Sequence, residues 1–180
     1  MAVALALVLL LAGIGQKATD SCASVFPSSL RKAVERQFPG HRLPKQDDNG
    51  PDDIQYHRTH GGNGCLGADQ GDFNRDGRKD VVFLASLGSD VFLMVALAGP
   101  KVWEVEKVWT VGESTYRRRL YVEATDPGKY DDLDLADEME PGQVATFTCD
   151  AQVVVTGMTE STGVAFCKTA SGWVHAWISD

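Results

Sequence analysis

The sequence predicts an α+β domain that is mainly β: an antiparallel sheet, strongly bent or split into two packed layers, carrying one N-terminal helix. Three observations predict it. Downstream of Asp80 the chain is a succession of short runs rich in Val, Phe, Thr and Trp, residues that suit a pleated, half-buried surface. Gly, Pro, Ser and Asp punctuate those runs at short intervals, as expected of antiparallel neighbours joined by tight connections. Only FPSSLRKAVERQFPG, residues 26–40, places apolar side chains at helical spacing with a stop behind them. A chain of 180 residues is long enough for one sizeable core, so residues 22–180 are expected to form a single domain.

At the N-terminus, Ala2–Ile14 is an unbroken apolar run. It is shorter than the roughly 20 residues a helix needs to span a bilayer and matches the apolar stretch of a secretory leader. Residues 1–18 are therefore read as a signal peptide. Gly13 and Gly15 favour cleavage after Gly15, whereas cleavage after Ala18 would put Gln16 at the −3 position. Thr19, Asp20 and Ser21 before Cys22 are wrong for a lipidation signal, so the mature chain is expected to be secreted or periplasmic without stable membrane insertion. A net charge of −8 argues against nucleic acid as a partner, because such a partner demands a basic face.

The four cysteines, Cys22, Cys65, Cys149 and Cys167, all lie beyond the leader. An even number in an exported chain reads as two disulfides, with three connectivities open. Cys149 and Cys167 fall in strand-like segments whose connection can fold back, which favours Cys149–Cys167 and leaves Cys22 for Cys65. No C-x-x-C spacing occurs, so zinc ribbons and dithiol redox catalysis have no support.

In chain order, Leu30, Ala33, Val34 and Phe38 mark the helix, with Ser28 or Ser29 as its cap and Pro39-Gly40 as its end. Residues 42–53 are polar and rich in breakers, a surface loop leading to a short strand around IQYH. VVFLAS, VFLMVALA, KVWEVEKVW and RRLYVEA follow as strands, the first three separated by Gly88-Ser89-Asp90 and Gly99-Pro100. VFLMVALA is apolar on both faces and is expected at the centre of the sheet, with the N-terminal helix covering one side. In KVWEVEKVW the Trp103, Val105, Lys107 and Trp109 face is expected inward and the Val102, Glu104, Glu106 and Val108 face outward. Residues 125–142 are acidic and aperiodic, a loop with room for one helical turn. VATFT, QVVVT, GVAFCKT and WVHAWIS then close the chain as short strands, and no internal repeat recurs.

The segment GDFNRDGRKDVVFLAS, residues 71–86, carries the clearest chemistry. With Asp72 as the first position, Asn74 is third, Asp76 fifth, Gly77 sixth, the Arg78 carbonyl seventh and Asp80 ninth. Calcium takes six to eight oxygen ligands, and alternate side chains of a curled loop can all face one ion. The sixth position must take a left-handed turn, which glycine accepts without strain. The order follows an EF-hand loop up to the distal acid, but the twelfth residue is Phe83 and the exit is a strand. Two other readings stand beside calcium. Arg75, Arg78 and Lys79 can pair with the aspartates, or the segment can be an ordinary Asp/Asn/Gly turn between strands.

GDFNRDGRKDVVF resembles the metal loop of FG-GAP and VCBS-type repeats, the calcium loops of integrin-like β-propellers. That resemblance implies a calcium ion between two strands, held by Asp72, Asn74, Asp76, the Arg78 carbonyl and Asp80. It covers a single loop, whereas a propeller repeats such units in blade after blade, so it implies the metal loop and not a full β-propeller.

Other candidates are weaker. His57 and His60 in YHRTHGG lack the acidic partner of a zinc helix and read as exposed loop histidines. Cys65 in GGNGCLG is better spent on a disulfide than as a nucleophile. Trp173, His175 and Trp177 share one face of WVHAWIS by alternation. That face is either core or a platform that stacks on a sugar ring or docks an envelope protein. The arginines at 117–119 are too few for a nucleic-acid patch and read as a charged edge or a partner for the acidic residues 131–140. The sequence thus points to a non-enzymatic exported calcium-binding domain with a structural ion. A glycan- or protein-recognition module is the alternative and a hydrolase-type enzyme a distant third.

Overall fold

The computed structural model describes residues 20–133 and 139–178. The expected leader lies outside those residues. They form an α+β fold dominated by antiparallel strands, with no closed barrel or propeller.

Two N-terminal helices come first. In α1 (Ser21–Val25) the Asp20 carboxylate caps the helix by accepting the Cys22 N–H at 3.0 Å. Helix α2 (Ser28–Gln37) buries Leu30, Ala33 and Val34, and Gly40 behind it takes φ +83°. Pro27 occupies its cap position, leaving the Ser29 hydroxyl free to accept Trp103 Nε1 at 3.1 Å and moor the helix to the sheet. The expected strand around IQYH is instead helix α3 (Pro51–Thr59). Pro51 pre-sets the first turn, and Asp52, Asp53, His57 and Arg58 complement the helix dipole. Only Ile54 is buried, so no apolar period advertises this helix.

The first sheet runs β1 (Ala68–Gly71), β2 (Asp80–Leu87), β3 (Asp90–Ala98), β4 (Trp103–Glu113) in that spatial order, every pair antiparallel. As expected, β3 is covered on both sides. Phe92, Met94 and Ala96 face α1 and α2, while Val91, Leu93 and Val95 face the second sheet. Strand β4 departs from simple alternation. Its register with β3 slips between Leu93 and Met94 and again between Val91 and Phe92. Trp103 and Val105 therefore pack with the helices, whereas Val108, Trp109 and Val111 pack between the sheets. Each bulge inserts one residue and reverses the face of everything beyond it, which a period-2 reading cannot foresee.

A six-residue 3-10 turn, Ser114–Arg119, leads into β5 (Leu120–Thr125). The acidic segment then holds a strand, β6 (Gly128–Asp131), which pairs with β7 (Thr146–Cys149) as a two-stranded ribbon where a loop was expected. Strands β8 (Val153–Met158), β9 (Gly163–Thr169) and β10 (Gly172–Ile178) complete the second sheet in the order β10-β9-β8-β5.

The layers are helices, first sheet, second sheet and ribbon. Phe73, Leu93, Val95, Val154 and Phe166 are among the side chains that fill the space between the sheets, and Val153, Val155, Ala165 and Cys167 back the ribbon. At one edge the Val122 N–H reaches Leu66 O at 2.8 Å and the Ala124 N–H reaches Asp69 Oδ2 at 2.9 Å, stitching β5 beside β1. At another point the Glu106 carboxylate of β4 accepts Lys168 Nζ at 2.7 Å and Trp173 Nε1 at 2.7 Å from the second sheet. Two disulfides pin the outer layers. Cys22–Cys65 ties α1 to the approach to β1, and Cys149–Cys167 ties the ribbon to β9. Their loop separations of 43 and 18 residues correspond, on the chain-entropy account, to about 4 and about 3 kcal/mol.

Candidate metal loop and aromatic strand

Residues 72–79 connect β1 to β2, whose ends pair Gly71 with Asp80. Phe73, fully buried between the sheets, pulls the loop inward, so the polar residues after it must curl over its ring. The curl is closed by side-chain acceptors. Asp72 takes the N–H groups of Asp76 at 3.1 Å and Gly77 at 2.9 Å, Asn74 Oδ1 takes Asp76 N–H at 3.1 Å, and Asp76 Oδ1 takes Arg78 N–H at 2.9 Å. Gly77 sits at φ +80° with open space around its Cα, so the backbone conformation and not crowding calls for glycine. Arg75 adopts φ 60° as well. The loop is tied to the β7–β8 connection, where Gln152 Oε1 accepts the Asp72 N–H at 2.8 Å.

Asp80 is the innermost acid and has no solvent exposure. Burial pushes its carboxyl above the usual range. The Ala98 and Phe73 N–H groups oppose that push, and the negative charges of Asp76 and Asp72 add to it. Asp76 is held below the usual range chiefly by the Arg78 backbone N–H, with Asn74 and the Arg78 guanidinium assisting. Of the three basic residues in the loop, Arg78 pairs with Asp76 at 2.7 Å, whereas Arg75 turns away to Asp150 at 3.4 Å.

The donor chemistry fits a hard cation: three carboxylates, an amide and a backbone carbonyl, all oxygen. Each carboxylate oxygen that accepts one N–H retains a second lone pair. The described conformation is nevertheless the hydrogen-bonded one. Among the described residues no group of three or more His, Cys, Asp or Glu side chains is gathered closely enough to hold a metal. A cation here would have to replace the Arg78 guanidinium at Asp76.

Trp173, His175 and Trp177 do share a face of β10, and it turns toward the space between the sheets. His175 is buried against Phe166 and Trp109, with ring centroids 5.2 and 6.1 Å away. Burial lowers its pKa, while Glu140 and Asp132 oppose the shift, and its Nε2 stands 3.9 Å from Glu140. The two indoles are half-buried. Trp173 bonds Glu106 and carries the Lys168 ammonium 5.3 Å over its ring, whereas Trp177 meets Trp109 edge-on at 5.8 Å. Beside Trp177 opens a cleft of about 340 Å³, lined also by Leu133, Thr162 and Ile178.

His57 lies on α3, not on a loop, while His60 is the exposed residue that caps the end of that helix, and the two do not converge. His57 Nδ1 accepts the Gly64 N–H at 3.2 Å, and burial lowers its pKa. His60 stacks on Tyr56 at 4.0 Å. Cys65 is consumed by its disulfide. Within the arginine run, Arg118 and Arg119 are exposed and only Arg117 turns inward. Arg117 is buried on Asp48 at 3.0 Å, and Arg119 donates to the Thr159 carbonyl at 2.8 Å. The Arg117–Asp48 pair and the Glu106 contacts join residues more than 60 positions apart, and no local spacing signals them.

No protein-family model matches this chain, and neither the curated proteins nor the solved structures yield a match.

Proposed function

We propose that this chain is an exported, non-enzymatic domain that binds one calcium ion through Asp72, Asn74, Asp76, the Arg78 carbonyl and Asp80, and that the ion is structural. The observation that carries the reading is Asp80, a buried carboxylate whose ionisation is opposed first by its burial and further by Asp76 and Asp72 on the same loop. The negative charges of Asp72 and Asp76 act on Asp80 at the strand entrance, and a divalent cation drawn in among the loop oxygens would offset that repulsion. The resemblance of the loop to a single FG-GAP/VCBS-type calcium loop supports the same assignment. Because the loop carries its own Arg78 counter-charge, affinity belongs at the weak extracellular end, about 10⁻⁴ to 10⁻³ M. Export is supported by the apolar leader and by two disulfides. Among the described residues no helix is long and apolar enough to cross a membrane.

The test is thermal unfolding of the disulfide-bonded chain after chelation, with calcium and magnesium titrated separately. A calcium-selective rise in Tm that disappears in Asp72→Asn/Asp76→Asn is the expected result. Equal melting with and without millimolar calcium rejects the ion and leaves the loop as a hydrogen-bonded turn.

A second reading has its own observation, the cleft beside Trp177 with Leu133 59% exposed at its rim. An apolar floor edged by an indole suits a sugar ring or an apolar side chain of an envelope protein. Quenching of tryptophan fluorescence by cell-wall fragments, lost in Trp177→Ala, is its signature.

A further inference from the structure

Arg117 belongs to none of these sites. It lies in the 3-10 turn Ser114–Arg119 and is 8% exposed. Its Nε donates to Asp48 Oδ2 at 3.0 Å, but both terminal nitrogens, Nη1 and Nη2, are buried with no hydrogen-bond partner among the described residues. Asp48 has nothing more to offer them. Its Oδ1 accepts Arg42 Nη2 at 2.9 Å, and its Oδ2 accepts Arg42 Nη1 at 3.1 Å and the Lys45 N–H at 2.8 Å as well as Arg117 Nε. Asn49, also buried, has committed its amide nitrogen to the Arg118 and Leu120 carbonyls at 3.3 and 2.8 Å. Together with Pro44, Leu84 and Leu120, these residues border a void of about 10 Å³. That is space for one atom of about the size of a water.

Charge decides what fills it. Arg42 and Arg117 share a single carboxylate, so the cluster keeps one positive charge uncompensated. The Arg42 side chain is 44% exposed and water screens it, but Arg117 has no such relief. A buried cation with unused donors is among the costlier arrangements a fold can hold. A water molecule would occupy two N–H groups and leave the charge as it was, whereas an anion answers both. The void excludes phosphate and sulfate by size. We propose that Arg117 holds a monatomic monovalent anion, of the chloride class, in the void beside Asp48 and Leu120. The ion fastens the 42–49 segment to the start of β5.

The experiment is thermal unfolding of the disulfide-bonded chain at constant ionic strength, with gluconate exchanged for chloride, bromide or sulfate. Chloride and bromide should each raise Tm by about 5 °C at a concentration some fifteen times the Kd, and sulfate should not. Arg117→Lys should weaken the halide effect and Arg117→Met abolish it. Should Arg117→Met fail to fold, crystals of the native chain soaked in bromide give an independent answer. An anomalous peak within hydrogen-bond reach of Nη1 and Nη2 supports the site. A peak that does not scatter anomalously overturns it in favour of water, and an empty void overturns it outright. So does a native Tm indifferent to which monovalent anion is present.

Discussion

Asp80 opens β2, yet its Oδ1 accepts the N–H of Ala98, the last residue of β3, at 2.8 Å, while its Oδ2 accepts the N–H of Phe73 at 3.0 Å. One buried side chain thus closes the end of the β2–β3 pair and holds the loop over it. Asp80→Ala would leave two backbone donors without acceptors, at a cost of about 3 kcal/mol in calcium-free buffer. Asp80→Asn keeps one acceptor and should lose less. Urea unfolding of both variants under chelation checks the order. Equal stability in the two would mean that the hydrogen bonds at Asp80 contribute nothing measurable.

Glu106 does for the two sheets what Asp80 does for the loop. Its carboxylate receives Lys168 Nζ on both oxygens, at 2.8 and 2.7 Å, and Trp173 Nε1 at 2.7 Å. Glu106→Ala would leave a half-buried ammonium and an indole N–H unpaired. The expected loss is about 2 kcal/mol, accompanied by a change in tryptophan emission as Trp173 is released. Glu106→Gln retains an acceptor for one of the two donors and should fall between. Equilibrium unfolding followed by fluorescence measures both quantities at once.

What could be read from the chain divides along physical lines. Helix α2 and strands β2 and β3 declare themselves, because burying Leu30, Ala33 and Val34 on one stripe, or Val91 to Leu97 on two faces, writes a period into the sequence. Helix α3 is stabilised by Pro51 and its terminal charges, which leave no apolar period, and so it reads as the end of a loop and a short strand around IQYH. The face of Trp109 depends on two bulges in β4 that no alternation encodes. In the candidate loop the ligand order from Asp72 to Asp80 is plain in the sequence. That Arg78 turns back onto Asp76 while Arg75 leaves for Asp150 is settled only by the fold.

His175 sets a pH dependence whose sign follows from its surroundings. Burial against Phe166 and Trp109 lowers its pKa below the usual value near 6.5, with Glu140 and Asp132 only partly offsetting the shift. The unfolded chain therefore binds the proton more readily. The stability that neutral His175 contributes is full above about pH 6.5 and is lost as pH falls through its lowered folded value. His57 is shifted the same way by burial and adds to the slope. His175→Gln, compared with the native chain between about pH 7 and pH 5, should show a shallower fall in Tm. A native slope that His175→Gln leaves unchanged would assign the whole effect to other groups.

Gly77 separates backbone strain from contact within the candidate loop. At φ +80° it occupies the left-handed region, and a Cβ built there meets no atom within 4 Å. Gly77→Ala can therefore act only through the main chain, at about 1 kcal/mol, because the side chain has room but the conformation disfavours it. Gly88, also at positive φ and also open around its Cα, supplies the control. Gly88→Ala should cost a similar amount while leaving any calcium response intact. Gly77 donates its N–H to Asp72 Oδ2 at 2.9 Å, so relaxing its backbone would also swing the first acid of the loop. Calcium titrations followed by Tm should then show a weakened response in Gly77→Ala alone. Identical calcium responses in the two variants would mean that the turn at Gly77 does not set the positions of the loop oxygens.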